Sequence, residues 1–538
     1  MKFKAKKPRL PRAVGADVEM GNSITGLIRR NGTGAEASSI LLKYIRGVPG
    51  SAYLATGASQ NPQDIGRKWL QNGSCCYIDL DHLEIALPET RSAWEFTAAL
   101  HAQFKIVEHA RERAEAQLPE GQDLHVFACN SDGSGSSWGS HQNFLISREC
   151  YDRIFSKRLD CLLWLASYQA SACIVSGQGK VGAENGASPV AYQLSQRADF
   201  TSEVVALQTT FNRPIINSRD EALCFGNKGL ARFHHISADV NLCHTANVLK
   251  VGILQILLDM IEVDSPLIQA DLILKEPVAA FTTYSHDPGL RAACPNLNGT
   301  MLSGLDLQFR FLEAASAFVA SGECDETVPR AAEIIALWSD TLEKLKQNDW
   351  DALSRRLDWV LKRAILEDVM LESPNLNWES PDIKHLDLVY GSLNPADGLY
   401  LALEAAGAVD LLVDAAQIER AVTTPPSGTR AYTRGHLLRL FGRDSITFVD
   451  WDRIGIRYPP KSYYSRTKIV QLDNPAEDTR VENGWMFNLK HPVSPQTILN
   501  HLDSLPPANP AGEIRRVEPQ QYSAYPYTNT YGTPGGRY

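Results

Sequence analysis

No stretch of this sequence stays apolar long enough to cross a bilayer. The longest apolar run, Val251–Met260, is interrupted by Gln255 and Asp259 and falls short of the ~20 residues a spanning helix needs. The basic start, Met1-Lys2-Phe3-Lys4-Ala5-Lys6-Lys7, has no apolar segment behind it, so no secretory signal is read there. Ten cysteines occur without any repeated Cys-x-x-Cys spacing. Adjacent Cys75-Cys76 and the apolar-flanked Cys161, Cys173 and Cys243 read as reduced core or strand residues. Positive charge is not in excess either, and a net charge of −9 argues against a dedicated nucleic-acid binder. What remains is a cytoplasmic globular protein, consistent with 44% apolar and 21% charged residues. At 538 residues the chain exceeds what one core usually holds, so two domains are expected.

Two short acidic stretches organise the rest. In Gly15–Gly21, Asp17 and Glu19 alternate with apolar residues; in Tyr77–Glu84, Tyr77, Asp79 and Asp81 do the same until His82 breaks the run. On strands, such residues share one face while the intervening ones pack inward. If the two strands are neighbours, up to five carboxylates converge on one surface. Such a cluster repels itself unless a proton or a hard cation is present, and oxygen donors suit magnesium. Two ordinary amphipathic strands with solvated outer faces would show the same alternation.

Residues 1–12 are basic and contain proline, and read as a loose arm. Sixty residues separate Glu19 from Asp79, so a sizeable insertion lies between the acidic strands, with a short helical pattern over Ser38–Tyr44. Thr90–Ala116 carries the spacing of a long helix, and Leu124–Cys129 that of a strand. A polar, glycine-rich loop, Asn130–Asn143, leads to a strand at Phe144–Ser147; its backbone N–H groups could hold phosphate, or it could be a plain wide hairpin. The Gly177–Gly182 string has Gly-x-Gly-x-x-Gly spacing behind an apolar strand expected at Ala172–Val175. No helix follows it, which points to a hairpin and not a dinucleotide site. Strand-like Tyr192–Arg197 and Pro214–Glu221, then Phe233–Ile236, end near Arg197, Arg219, His234 and Asn241. These are anion-contact candidates, though each alone also reads as an ordinary surface or ion-pair group. A helix is expected over Ala246–Ile261, and residues 265–415 read as largely helical scaffold, including Val328–Asn348 and Trp350–Leu371. Pro425-Pro426-Ser427-Gly428 marks a boundary, so the expected divisions are 1–12, a large domain at 13–424, and a small α+β domain at 425–505. A disordered tail rich in Pro, Gly, Asn and Tyr follows at 506–538.

Taken in order, the motifs GxDxEMG, YIDxDHxE, NSDGxGxSWGSHxNFL, QLSQRADF, PIINSRDE, SADxN and TRAYxRG resemble the Pup ligase/Pup deamidase family from about Gly15 to Ile454. The resemblance implies an α+β, glutamine synthetase-like fold. Its curved antiparallel sheet forms a cradle backed by helices, with ATP and Mg2+ at one end and a glutamate or glutamine side chain at the other. The implied partners are a small disordered Pup-like modifier and its lysine conjugates. The unbroken spacing from Asp79 to Glu89, the Ser140-His141 pair and Thr429–Gly435 lean toward the deamidase branch. By the same resemblance Asp79 is the catalytic aspartate, and Asp17, Tyr77 and Glu84, with Glu19 beside them, fall on magnesium positions. Trp451, Arg219, His234 and Arg434 fall on nucleotide-contact positions, and His141, Asn143 and Arg197 face the substrate.

Several positions depart from the family pattern. Asp17 replaces a glutamate, Cys75 an ATP-contacting arginine, Gln142 a glutamate and Leu83 a proline; Leu87 stands near the nucleotide position, and no Pro-His-Ala-Asp follows Glu221. Three functions are therefore weighed: an ATP/Mg-dependent amidohydrolase, an ATP-dependent ligase joining a glutamate side chain to lysine, and a catalytically impaired peptide-binding scaffold.

Overall fold

The computed structural model describes residues 9–26, 33–49, 64–224, 227–458 and 466–477. The tail at 506–538, the first eight residues and part of the insertion after Glu19 lie outside the described residues.

One nine-stranded sheet carries the site. In chain order its strands are β1 (Val14–Glu19), β2 (Val48–Pro49), β3 (Asp64–Trp69), β4 (Cys75–Asp79), β5 (His82–Ala86), β6 (Ser140–Ser147), β7 (Thr201–Ala206), β8 (Arg213–Asn217) and β9 (Leu230–His235). Across the sheet they run β7-β8-β9-β6-β1-β5-β4-β3-β2. The fold is α+β as expected, but the sheet is mixed, because β7 pairs with β8 in parallel.

The second acidic stretch is not a single strand. Leu80 adopts a left-handed backbone, φ 52°, and turns the chain, so Tyr77 and Asp79 lie on β4 while Glu84 returns on β5 directly opposite Tyr77. Asp81 sits exposed in that turn and leaves the cluster. β5 also pairs with β1, placing Glu19 opposite Glu84. The two acidic stretches are thus neighbours, through a hairpin that the alternation alone does not reveal.

Behind the sheet lie α1 (Ala93–Glu115), α2 (Leu159–Ser176) and α3 (His244–Glu262). The last two are long and apolar enough to cross a membrane by composition, yet they are 83% and 100% buried inside the fold. The polar residues that interrupt α3 are paired: Lys250 Nζ donates to the Asp239 carbonyl at 2.7 Å and to Asn241 Oδ1 at 2.8 Å. Asp259 accepts from Arg12, which is itself wholly buried and also reaches Glu262 at 2.8 Å. Arg9 contacts Asp259 at 2.6 Å, so the end of the presumed loose arm is anchored to the core.

Three further expectations change. α2 continues through Ser176, so Ala172–Val175 is helical and not a strand; the glycine string after it forms the expected hairpin, Lys180–Val181 pairing with Tyr192–Gln193. The scaffold pattern at 350–371 breaks into helices at Trp350–Ser354 and Asp358–Glu372. Asn241 is fully buried and donates to Asp358 at 2.9 Å, so it is a core residue and not an anion contact.

After the Pro425–Gly428 segment, α4 (Arg430–Ser445) packs against a three-stranded sheet of Ile446–Val449, Arg453–Tyr458 and Arg466–Gln471.

Candidate active site

A cavity of about 1060 Å³ opens over the sheet, lined by β1, β4, β5, β6 and β9, by the loop before β8 and by Trp451. On its floor the carboxylates of Glu19, Asp79 and Glu84 lie with ligand oxygens within 4.8 Å of one another. Strand periodicity explains this: Asp17 and Glu19 share one face of β1, Cys75, Tyr77 and Asp79 share one face of β4, and cross-strand pairing aligns Glu19, Glu84 and Tyr77 in a row. Burial pushes the Glu84 carboxyl well above its ordinary value, and the negative charge of Asp17 and Glu19 pushes it further. Burial likewise raises Glu19 and Asp17. Oxygen donors that repel one another in this way fit a hard divalent cation, which would restore the ionised state.

Two metal candidates occupy supporting positions. Tyr77 donates its phenolic hydrogen to Glu84 at 2.5 Å, and burial followed by Glu84's charge holds the phenol well above its ordinary value. It orients Glu84 as a neutral donor. Asp17 accepts from Asn143 Nδ2 at 2.7 Å. Glu19 is braced by the Gly139 N–H at 3.0 Å. Asp79, expected only as the reacting carboxylate, therefore stands in the carboxylate group itself, while Asp17 is turned toward β6.

On the other flank the side chains are cationic or neutral. Arg197, 2% exposed, donates to Ser137 Oγ at 2.6 Å and the Trp138 carbonyl at 3.0 Å. Burial, then neighbouring Arg213, lowers its guanidinium to about 10. His141 and His234 face each other with ring centroids 5.2 Å apart. Burial and the surrounding arginines keep both well below their ordinary values, hence neutral at pH 7. Both ring nitrogens of His234 are buried without a hydrogen-bond partner among the described residues. Arg219 lines the cavity, with its backbone N–H held by Asn217 at 2.8 Å. Asn143, expected to touch substrate, spends its amide on Asp17 and accepts from Arg232 at 3.3 Å, so it positions both.

Trp451 lines the opposite end and meets Trp69 edge-on, centroids 4.8 Å apart. Arg434 lies behind this wall and not in it. It is fully buried, donates to the Trp451 carbonyl at 3.0 Å and to Glu89 at 2.6 Å, and its guanidinium sits 4.9 Å from the Trp451 ring. Arg434 is thus a support for Trp451, a correction to the expected direct contact.

Sequence reasoning missed Arg67, Arg213, Arg232 and Arg430, all of which line the cavity. Arg232 was findable, since it shares a strand face with His234 two residues on. Arg430 stands in the string that supplied Arg434. Arg213 immediately precedes the strand expected from Pro214, and Arg67 belongs to the insertion.

The family described as Pup-ligase protein matches residues 39–455. The chain is 36% identical over 385 residues to the Pup deamidase/depupylase of Mycolicibacterium smegmatis, covering 72% of this chain and 74% of that protein. It is 33% identical over 449 residues to the depupylase of Acidothermus cellulolyticus, covering 83% and 86%. Identity to the Pup--protein ligase of Nakamurella multipartita is 35% over 391 residues, covering 71% and 82%. Among solved structures, the Pup ligase PafA in complex with ADP superposes with a TM-score of 0.68 at 26% identity, covering 77% of this chain and 88% of that one. With a matched region spanning most of its length and relatives above 30% identity, the chain belongs to the Pup ligase family.

Proposed function

We propose that the protein is an ATP- and Mg2+-dependent amidohydrolase. Its substrate is the C-terminal glutamine, or the isopeptide bond to lysine, of a Pup-like modifier. The observation that carries the reading is Asp79 at the end of β4, in one group with Glu19 and Glu84 and across the cavity from Arg197, His141 and His234. An amide side chain laid between these flanks presents its carbonyl carbon to the Asp79 carboxylate and its oxygen to the cations. Attack forms a C–O bond to Asp79 and breaks the C–N bond, the leaving nitrogen taking a proton from solvent to depart as ammonia or the lysine amine. Water then cleaves the resulting anhydride, giving back the Asp79 carboxylate, forming the substrate's glutamate carboxylate and returning the proton to solvent. Asp79 acting as general base for water gives the same products. Glu19 and Glu84 are the residues that would hold Mg2+, which supplies charge neutralisation for carboxylates and phosphates when bound. The relatives named depupylase and the structure holding ADP support substrate class and nucleotide. Buried thiols such as Cys129, Cys150, Cys161 and Cys243 fit a reducing cytoplasm.

The ligase reading draws support from the relatives named Pup--protein ligase. In it, Asp79 deprotonates an incoming lysine. One experiment separates them: the purified protein is incubated with ATP, magnesium and a Pup-like peptide ending in glutamine, following peptide mass and ammonia. Amide-to-acid conversion with ammonia release, abolished in Asp79→Asn while peptide binding persists, is the expected result. ADP and a lysine adduct formed only with the glutamate-ended peptide would replace this reading by ligation. Binding without either product would mark a peptide-gripping scaffold.

A further inference from the structure

The phosphates of a nucleotide need a cation near the aromatic wall that receives the base, and β4 brings none there. Cys75 shares the β4 face with Tyr77 and Asp79, but it is completely buried in the apolar cluster of Trp69, Ala86 and Val449 that Tyr77 and Trp451 pack against. The neighbouring strand supplies the charge. Between Ile65 and Lys68 the pairing of β3 with β4 slips: Ile65 faces Ile78, whereas Lys68 faces Cys76, which leaves one extra residue on β3. Gly66, with φ 74°, makes that bulge. A bulge re-aims the side chain beside it. Here the side chain is Arg67, whose guanidinium lies 4.4 Å from the centroid of the Tyr77 ring and lines the cavity. Its charge partly offsets the burial that raises both Asp17 and Tyr77.

We propose that Arg67 is the phosphate-binding cation at the Trp451 end of the cavity, carried into place by the β3 bulge, and that it determines selectivity for nucleoside polyphosphate over nucleoside. The inference rests on the nucleotide reading above and adds the residue that grips the phosphates. Three observations converge on it. The guanidinium shares the cavity with Trp451; it lies over the ring of Tyr77, which packs in the same apolar cluster as Trp451; and Tyr77 in turn donates to Glu84, one of the carboxylates suited to hold Mg2+. A planar guanidinium stacked on a ring keeps its outward N–H donors in a fixed fork that matches phosphate oxygens. Of the other cavity arginines, Arg197, Arg213, Arg219 and Arg232 belong to the histidine flank, and Arg430 is engaged by Glu89 and the Leu223 carbonyl, so Arg67 is the arginine we assign to the polyphosphate on the aromatic side.

The test is calorimetric titration of the full chain with ATP, ADP and adenosine in the presence of magnesium. Arg67→Met keeps an apolar stem over Tyr77 and removes the charge; Arg67→Lys keeps the charge and loses the fork. Expected in Arg67→Met is a loss of roughly tenfold or more in affinity for ATP and ADP, with adenosine affinity unchanged. Partial recovery is expected in Arg67→Lys. A merely structural role for Arg67 would weaken all three ligands together, and that outcome overturns the proposal. So does Arg67→Met binding ATP like the wild type, which leaves the nucleotide reading standing. A wild-type protein that binds no nucleotide at all overturns both.

Discussion

Gly139 shows how tightly the cavity floor is built at the scale of single residues. Its N–H donates to the Glu19 carboxylate at 3.0 Å and its carbonyl accepts from the Glu19 N–H at 3.0 Å, so the glycine fixes the acid from two sides. A Cβ at this position would overlap the His141 ring. Gly139→Ala therefore has to shift either the histidine or the strand end. The expected cost is about 1–3 kcal/mol of stability, typical of overpacking, and a fall of about tenfold or more in turnover from misplacing catalytic groups. Thermal unfolding and steady-state kinetics read the two effects separately, and turnover equal to wild type would show that the close packing has no catalytic consequence. Residues of this kind explain what was legible in the sequence. Alternation exposed Asp17, Glu19, Tyr77 and Asp79 because a two-residue period is a local property. Arg67 is placed by a bulge and Arg434 by a partner hundreds of residues away, and neither is written in a local period.

At the scale of elements, the turn at Leu80 decides the site. A strand running unbroken from Tyr77 to Glu84 would put Asp81 with Asp79 and send Glu84 to the opposite face. The hairpin returns Glu84 opposite Tyr77 and discards Asp81. Helix junctions behind the sheet carry a second buried group. His101 on α1 and His244 at the start of α3 sit with ring centroids 4.4 Å apart, next to Glu404. His244 Nδ1 accepts from the Leu412 and Val413 N–H groups at 3.2 and 3.3 Å, so its proton resides on Nε2. That assignment tells against a ready metal site, because the nitrogen that faces Glu404 at 4.0 Å carries hydrogen. Adding a second proton at Nδ1 would set like charge against two N–H donors. Burial lowers His244 to about 4 from 6.5, and lowers His101 well below its ordinary value through burial and then His244. A histidine depressed on folding stabilises fully above its unfolded value and loses that contribution as pH falls through the folded one. The wild type should therefore lose on the order of 3 kcal/mol from His244 between pH 6.5 and about 4. His244→Asn keeps an acceptor for the two N–H groups and cannot titrate there. Its unfolding free energy should fall less steeply over that window, and parallel pH profiles would defeat the argument.

The whole molecule poses the question of how the C-terminal unit is held against the large sheet, since Trp451 reaches the cavity only if it docks correctly. The helix break at Pro425–Gly428 was legible because proline and glycine interrupt helical periodicity locally. The docking was not, because it depends on Glu89, which precedes α1 and lies more than three hundred residues from its partners. Glu89 accepts from Arg430 at 2.5 Å and from Arg434 at 2.6 Å, both on α4, and all three side chains are buried. Burial alone would raise the Glu89 carboxyl, but the charges of Arg434 and then Arg430 pull it below its ordinary value, so it is ionised at pH 7. Arg434 also binds the Gly73 carbonyl at 2.7 Å and the Trp451 carbonyl at 3.0 Å, linking the β3–β4 turn, α4 and the cavity wall through one guanidinium. Removing the acid leaves two cations buried without their counter-charge, which costs far more than the intact pair contributes. Glu89→Ala is expected to destabilise the protein by about 3–5 kcal/mol, to expose the Pro425–Gly428 segment to protease, and to weaken nucleotide binding together with the loss of Trp451's position. Glu89→Gln, which keeps one acceptor and no charge, should fall between the two. Thermal unfolding and limited proteolysis at pH 7 measure this directly. If Glu89→Ala melts with the wild type and resists cleavage after Thr424, the clamp is not what holds the unit. The docking would then rest on the apolar contact of Leu437, Leu438 and Ile454 with Trp69, Cys75 and Ala86.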